Sequence, residues 1–389
     1  MTALLLFGDT ERSPAIRHEI PVGIIDPLLF VESDGRKYVL TSWLERERIN
    51  SVLPDAEILD YFAYGYKELV SGGRSYVDAE RETAVRAIKE IGIREATVPG
   101  SFPLALGERL REEGVTLNID DNAVELRRRA KTGAELEGIR AASAAAESAF
   151  AAAAELLGRA SVTGDGRLAI DGELLLAEQV RETLQAACLE HGAWCPPDAI
   201  VASVWNGVGH ERGDGPLPAG LPIQIDLWPR HEQSACWSDM TRTFLVGTPT
   251  PEHGSLIDEQ RRLVAAALDD ARAAIRPGVS GREIYERTCD LFESAGYKTQ
   301  RTSDTDGEVE GFQFALGHGV GLEVHEPPVL GLGGHELLAA GDVLAVEPGL
   351  WDARIGGVRY EDLLLVTEDG CETLTHFSYS LTPSVPGSA

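Results

Sequence analysis

The sequence predicts an α+β protein of two domains, a smaller α/β domain followed by a larger one. Three observations lead there. The chain has 389 residues, more than one hydrophobic core usually serves. Its first third alternates short apolar runs with amphipathic helical stretches. The remainder runs twice through one order of elements: helix, helix, histidine, strand pair.

The first domain is read over residues 1–127. "MTALLLFGDTE" begins with a short apolar run and no basic leader, which suits a first strand and not a signal peptide. "PLLFVES" and "KYVLTS" read as further strands and "SWLERERINSVL" as a helix. "DAERETAVRAIKEIG" is a helix followed by the strand-like "EATVPG"; "LALGERLREEG" is a helix followed by "VTLNID". Strands alternating with helices argue for an α/β sheet. Its charges read as a solvated surface.

The second domain is read over residues 128–389. Thr132 and Glu135 have the spacing of a capping box, which satisfies free N–H groups at a helix start. The helix continues to about residue 157 through "AASAAAESAFAAAAELL", rich in alanine, the best helix former. A second helix is expected at about 172–191, then His210, then strands at 222–228 and about 236–246. Downstream, a helix at about 256–275 ends at "RPG". Ser280 and Glu283 suggest another capping box for a helix at about 281–296, followed by His318 and a second strand pair.

The strand pairs carry the chemistry. In "PIQIDLWPRHEQSACWSDMTRTFLVG", a turn centred on Glu232 and Gln233 sets Asp226 directly opposite Asp239, with both side chains on one face. In "GDVLAVEPGLWDARIGGVRYEDLLLVTEDG", one strand ends at Glu347 and the next returns from about 357 to 367. Glu361 then meets Glu347, Arg359 shares its face, and Asp362 points the other way. Carboxylates gathered in apolar strands repel one another and require protons or cations. Arg242 and Arg359 would neutralise two of the charges; two divalent cations would neutralise all four. His318 lies between glycines in "LGHGVGLEVHEPP" and adds one imidazole nitrogen. Taken singly, an acidic pair or a lone histidine is more often a satisfied structural group. As a set, Asp226, Asp239, His318, Glu347 and Glu361 form an oxygen-rich site suited to Mn²⁺, Co²⁺, Fe²⁺ or Zn²⁺.

Composition excludes other classes. A net charge of −28 repels nucleic acid and anionic membranes. No run of 18 apolar residues exists to span a bilayer. The five cysteines include no Cys-x-x-Cys, which argues against a disulfide framework or a thiolate zinc site and fits a reducing cytoplasm.

Together, "IDLWPRHEQSACWSDMTRTF", "GHGVGLEVHEPP", "VEPGLW" and "RYEDLLLVTEDG" resemble the pita-bread metallopeptidases. That group includes Xaa-Pro dipeptidases (prolidases), aminopeptidase P and methionine aminopeptidase. The resemblance covers about residues 125–380, and residues 1–127 more faintly resemble the creatinase/prolidase N-terminal domain. It implies a pita-bread fold, with helices in pseudo-two-fold arrangement over a curved antiparallel sheet. It implies two divalent metal ions, manganese first, with cobalt, zinc or iron as alternatives. The ligands would be Asp226, Asp239, His318, Glu347 and Glu361, with Asp239 and Glu361 bridging. Glu347 would accept a proton from the attacking water. His325 of "HEPP" and His210 would stabilise the oxyanion and help protonate the leaving nitrogen, while Arg359 would orient a bridging carboxylate. Two departures stand out. The first hairpin loop is about two residues longer than usual, and "VWNGVGHERGD" differs from the family's usual surroundings of that histidine. Trp205 and Trp228 suit either a pocket wall or ordinary packing.

A two-domain chain resembles the Xaa-Pro members. The implied reaction is cleavage of the peptide bond before proline at the N-terminus of a dipeptide or short peptide, by a cytoplasmic homodimer. Two rivals share the fold: an enzyme acting on C–N or C–S bonds of small molecules, and a metal-free protein-binding module. Such modules have lost ligands, whereas this sequence keeps all five positions.

Overall fold

The apolar runs near the N-terminus become strands of a single mixed sheet. The structure, a computed structural model, describes residues 2–206, 210–303 and 309–384. It divides into two compact units, Met1–Arg128 and Arg129–Ala389. In the first unit the strands are β1 (Ala3–Gly8), β2 (Leu28–Ser33), β3 (Arg36–Thr41), β4 (Glu57–Asp60), β5 (Glu95–Val98) and β6 (Thr116–Ile119). Their order across the sheet is β4-β3-β2-β1-β5-β6. The helices are α1 (Pro14–Glu19), α2 (Arg46–Val52), α3 (Tyr66–Ser71), α4 (Tyr76–Ile91), α5 (Leu104–Glu112) and α6 (Asp121–Arg129). Both faces of the sheet are covered. Leu5, Leu29, Val31 and Leu40 pack with Val85, Ile88 and Leu106 on one side. Leu6, Leu28, Phe30 and Val39 pack with Ile16 and Ile49 on the other. Burial on both faces is why these strands read as continuous apolar runs.

In the second unit α7 (Gly133–Gly158) starts at a complete capping box. Glu135 N–H donates to Thr132 Oγ1 at 3.2 Å, and Thr132 N–H donates to Glu135 Oε2 at 2.8 Å. The small side chains of Ala145, Ala146, Ala149 and Ala153 form its buried stripe against α8 (Ala177–Glu190). This second helix begins at Ala177, not near residue 172 as the sequence suggested. Asp171 and Gly172 both take positive φ, 52° and 87°, and close a tight hairpin, the conformation that Asp-Gly favours. The residues before α8 therefore join a small sheet of β7 (Ser161–Val162), β8 (Leu168–Ile170) and β9 (Glu173–Leu174).

Beyond α8, β10 (Ala193–Trp194) pairs with β13 (Arg230–His231), and β11 (Ile200–Ala202), β12 (Pro222–Leu227) and β14 (Met240–Leu245) form a sheet in the order β11-β12-β14. The next helix, α9 (Pro251–Ala274), starts earlier than its apolar periodicity indicated, because Thr250 caps it and Pro251 occupies its first turn. Helix α10 (Gly281–Ser294) follows, with Glu283 N–H donating to Ser280 Oγ at 3.1 Å. The last sheet contains β15 (Gly317–Gly319), β16 (Glu326–Leu330), β17 (Val343–Val346), β20 (Asp362–Val366) and β21 (Cys371–Thr373), in the order β16-β15-β17-β20-β21. A hairpin of β18 (Gly349–Asp352) and β19 (Gly356–Arg359) extends from it.

Each half of this unit is thus a helix pair backing antiparallel strands over its own core. The halves are stitched together: Glu361 N–H donates to Thr241 O, and Arg359 N–H donates to Thr243 Oγ1, both at 3.1 Å. Among the described residues, no helix is long and apolar enough to cross a membrane.

Candidate metal centre

The first hairpin departs from its expected register. Asp226 pairs with Thr241, not with Asp239, and Leu227 pairs with Met240. Arg230 faces Trp237, and His231 N–H donates to Cys236 O at 2.8 Å. The turn therefore centres between Gln233 and Ser234, one residue further along than expected. Moving a turn by one residue moves the pairing by two. Asp239 is a diagonal neighbour of Asp226 instead of its direct partner, and the face is unchanged.

The second hairpin keeps the expected pairing. Val346 pairs with Asp362 and Gly349 with Arg359, so the same register brings Glu347 opposite Glu361. His318 sits in the middle of β15, opposite Ala345 of β17. Gly317 permits this close approach, since a Cβ there would lie 1.9 Å from Ala345 O.

These strands surround a cavity of about 350 Å³. The five expected ligands line it, as do His210, His325 and Arg359; Asp198, Ile200, Trp228 and Val324 complete the wall. Asp239, His318 and Glu361 each present an atom within 4.8 Å of the others. His318 Nε2 lies 3.8 Å from both Asp239 Oδ2 and Glu347 Oε1. Its Nδ1 lies 3.1 Å from Gly319 O. A proton on Nδ1 satisfies that carbonyl and leaves the Nε2 lone pair facing the carboxylates, the tautomer a metal-binding histidine needs.

Burial and mutual repulsion set the charge of the cluster. Burial, then Glu361, Asp226 and Glu347, raise the Asp239 carboxyl well above the usual range. Glu361 is raised likewise, first by burial and then by Glu347 and Asp226. Burial pushes Glu347 up to about 7, against the lowering effect of Arg359. Burial, aided by His325, lowers His318 to about 4, so it is neutral at pH 7. Among the described residues, Asp239 Oδ1 is buried without a hydrogen-bond partner. An orphaned carboxylate oxygen beside an imidazole lone pair and further carboxylates fits an oxygen-preferring divalent cation.

The two arginines divide differently from the sequence reading. Arg359 contacts Asp226 and approaches Glu347 to 3.4 Å, so it meets the two carboxylates not expected to bridge. Glu361 is held instead by Thr241 Oγ1, which donates to its Oε2 at 2.6 Å. Arg242 does not neutralise the cluster. It donates to Asp362 Oδ1 at 2.7 Å and to Glu361 O at 2.6 Å, on the opposite face of the strand. Trp228 lines the cavity, while Trp205 is 56% exposed and is absent from its wall. The sequence reading missed Thr241 and Asp198. Thr241 acquires its neighbour only through strand pairing, and Asp198 stands in an ordinary turn, so neither carries a local signal.

The sequence profile of metallopeptidase family M24 matches residues 137–368. The chain belongs to that family. Among curated relatives, an uncharacterized peptidase of Staphylococcus haemolyticus is 40% identical over 140 residues, 36% of each chain. An Xaa-Pro dipeptidase of Pyrococcus horikoshii is 32% identical over 183 residues, 46% of each. The chain thus spans less than half the length of these two relatives. A solved structure, the prolidase from Pyrococcus horikoshii, superposes with a TM-score of 0.74 at 23% identity, covering 98% of this chain and 95% of that one. That likeness shows the fold, and the M24 chain has the α+β, pita-bread architecture expected of it.

Proposed function

We propose that this M24 protein is a metal-dependent peptidase that cleaves the bond before proline at the N-terminus of a dipeptide or short peptide. The observation that carries the reading is the convergence of four carboxylates and a correctly oriented imidazole on one cavity. Asp226, Asp239, His318, Glu347 and Glu361 would hold two divalent ions, manganese first, with cobalt, zinc or iron as alternatives. When bound, such ions supply Lewis acidity toward a carbonyl oxygen and toward water.

The chain's other groups then have definite tasks. Glu347 accepts the proton of the attacking water. Burial, then His210, keeps His325 below the usual histidine range, so it is a neutral N–H donor at pH 7. Its ring is 4.3 Å from that of His318, and in this role it would donate to the oxyanion. His210 faces the same space and can pass a proton to the leaving nitrogen. That nitrogen is a secondary amine, because the bond before proline has no N–H. Arg359 holds Asp226 and Glu347 in place. The same reading expects a homodimer acting on short peptides in the cytoplasm.

The test is hydrolysis of an Xaa-Pro dipeptide beside an Xaa-Pro tripeptide by the manganese-loaded protein. Release of the first residue, reduced at least about 10³-fold in Asp239→Asn, is expected. Intact dipeptide and tripeptide after prolonged incubation with the wild type would overturn the reading.

A further inference from the structure

We propose that Asp198 and Trp228 form a cation subsite on the cavity wall, which selects substrates carrying an ammonium or guanidinium group close to the scissile bond. The proposal rests on the peptidase reading above. Among the described residues, Asp198 is the one acidic side chain facing the cavity outside the expected ligand set. It is exposed, and it makes no hydrogen bond or ion pair with any described residue. Its neighbours are committed: Asp226 and Glu347 to Arg359, Glu361 to Thr241.

Ile200 pairs with Asp226. Asp198 lies in the turn just before β11, where Ala199 N–H donates to Pro196 O at 3.2 Å, and Trp228 directly follows β12. All four of these residues line the cavity. The wall thus leads from the candidate metal centre to a free carboxylate and a half-buried indole. A carboxylate and an aromatic face on one cavity wall supply the chemistry that recognises a cation, and tryptophan is the best such face. Ile200 and Val324 supply apolar surface for an alkyl stem. The two sources of such a cation are the peptide's own N-terminal ammonium and a lysine or arginine side chain at its first residue.

Two measurements on wild type and Asp198→Asn test this. The first is steady-state hydrolysis of Lys-Pro, norleucyl-Pro and Glu-Pro by the manganese-loaded proteins. The second is calorimetric binding of argininamide, which requires no turnover. The variant is expected to lose about five- to thirty-fold in kcat/KM through KM. Loss confined to Lys-Pro assigns the subsite to the side chain; equal loss on all three assigns it to the N-terminal ammonium. Argininamide binding should weaken by a similar factor. If the wild type hydrolyses these peptides and the variant matches it in both measurements, the subsite is overturned while the peptidase reading stands. If the wild type cleaves none of them yet binds argininamide in an Asp198-dependent way, the subsite stands and the peptidase reading falls.

Discussion

Asp239 is the side chain on which the centre's physics is most visible. One oxygen is buried without a partner among the described residues, the other lies 3.8 Å from an imidazole nitrogen, and three more carboxylates surround it. Without a cation, burial and like charge both penalise its ionised form. Replacing it by asparagine removes that penalty and also removes a donor from the expected ligand set. Metal-free Asp239→Asn should therefore melt at the same temperature as metal-free wild type, or a few degrees above it. Added Mn²⁺ should raise the wild-type melting temperature and leave the variant's unchanged. Scanning fluorimetry of both proteins with chelator and with metal reads this directly, and a metal-free variant that melts well below wild type would contradict it. The acidic residues of the cavity were legible in the sequence because a carboxylate in a run such as "IQID" or "VLAVE" conflicts with burial. Asp198 stood in no such conflict, and Thr241 is an ordinary strand residue until register sets it beside Glu361.

At the level of elements, backbone crowding places the imidazole. Strand β15 lies between β16 and β17, and Gly317 allows it to sit there. Gly317→Ala would drive a methyl group into the Ala345 carbonyl, 1.9 Å away. The expected cost is about 2 kcal/mol or more, with weakened metal binding because His318 is the next residue. Gly133→Ala is the matched control: nothing lies within 4 Å of its Cβ position, at the first turn of α7. It should be neutral or slightly stabilising. Urea unfolding of the two variants separates them, and equal stabilities would refute the steric argument. Strand and helix identities were legible from periodicity, but some starts were not. The start of α8 depends on a two-residue Asp-Gly turn, and β4, α1 and α3 contain too few residues to show a period.

At the scale of the whole molecule, acidity dominates, with a net charge of −28, and folding has to gather carboxylates at places where cations meet them. The first unit shows how. Glu19 accepts from Arg127 Nε at 2.6 Å and from Lys37 Nζ at 3.0 Å, tying α1 to α6 and to β3. Burial raises its pKa, yet the hydrogen bonds and charges of Arg127 and Lys37 outweigh burial and hold it below 4.5. A folded-state pKa below the unfolded one means stability that is complete above about pH 4.5 and lost as pH falls through the folded value. Glu19→Gln should therefore cost about 2 kcal/mol at pH 7, and the deficit relative to wild type should shrink as the pH is lowered below 4. Chemical denaturation at pH 7, 5 and 3.5 checks this, and a deficit independent of pH would rule it out.

The shifted turn of the first hairpin also limits how this ribbon can change length during evolution. Gains or losses of two residues slide β14 along β12 and leave Asp239 on the inner side. An odd insertion has to be absorbed at the tip as a bulge; carried into the ladder, it would turn that carboxylate toward the helices behind the sheet and leave the cavity one acid short.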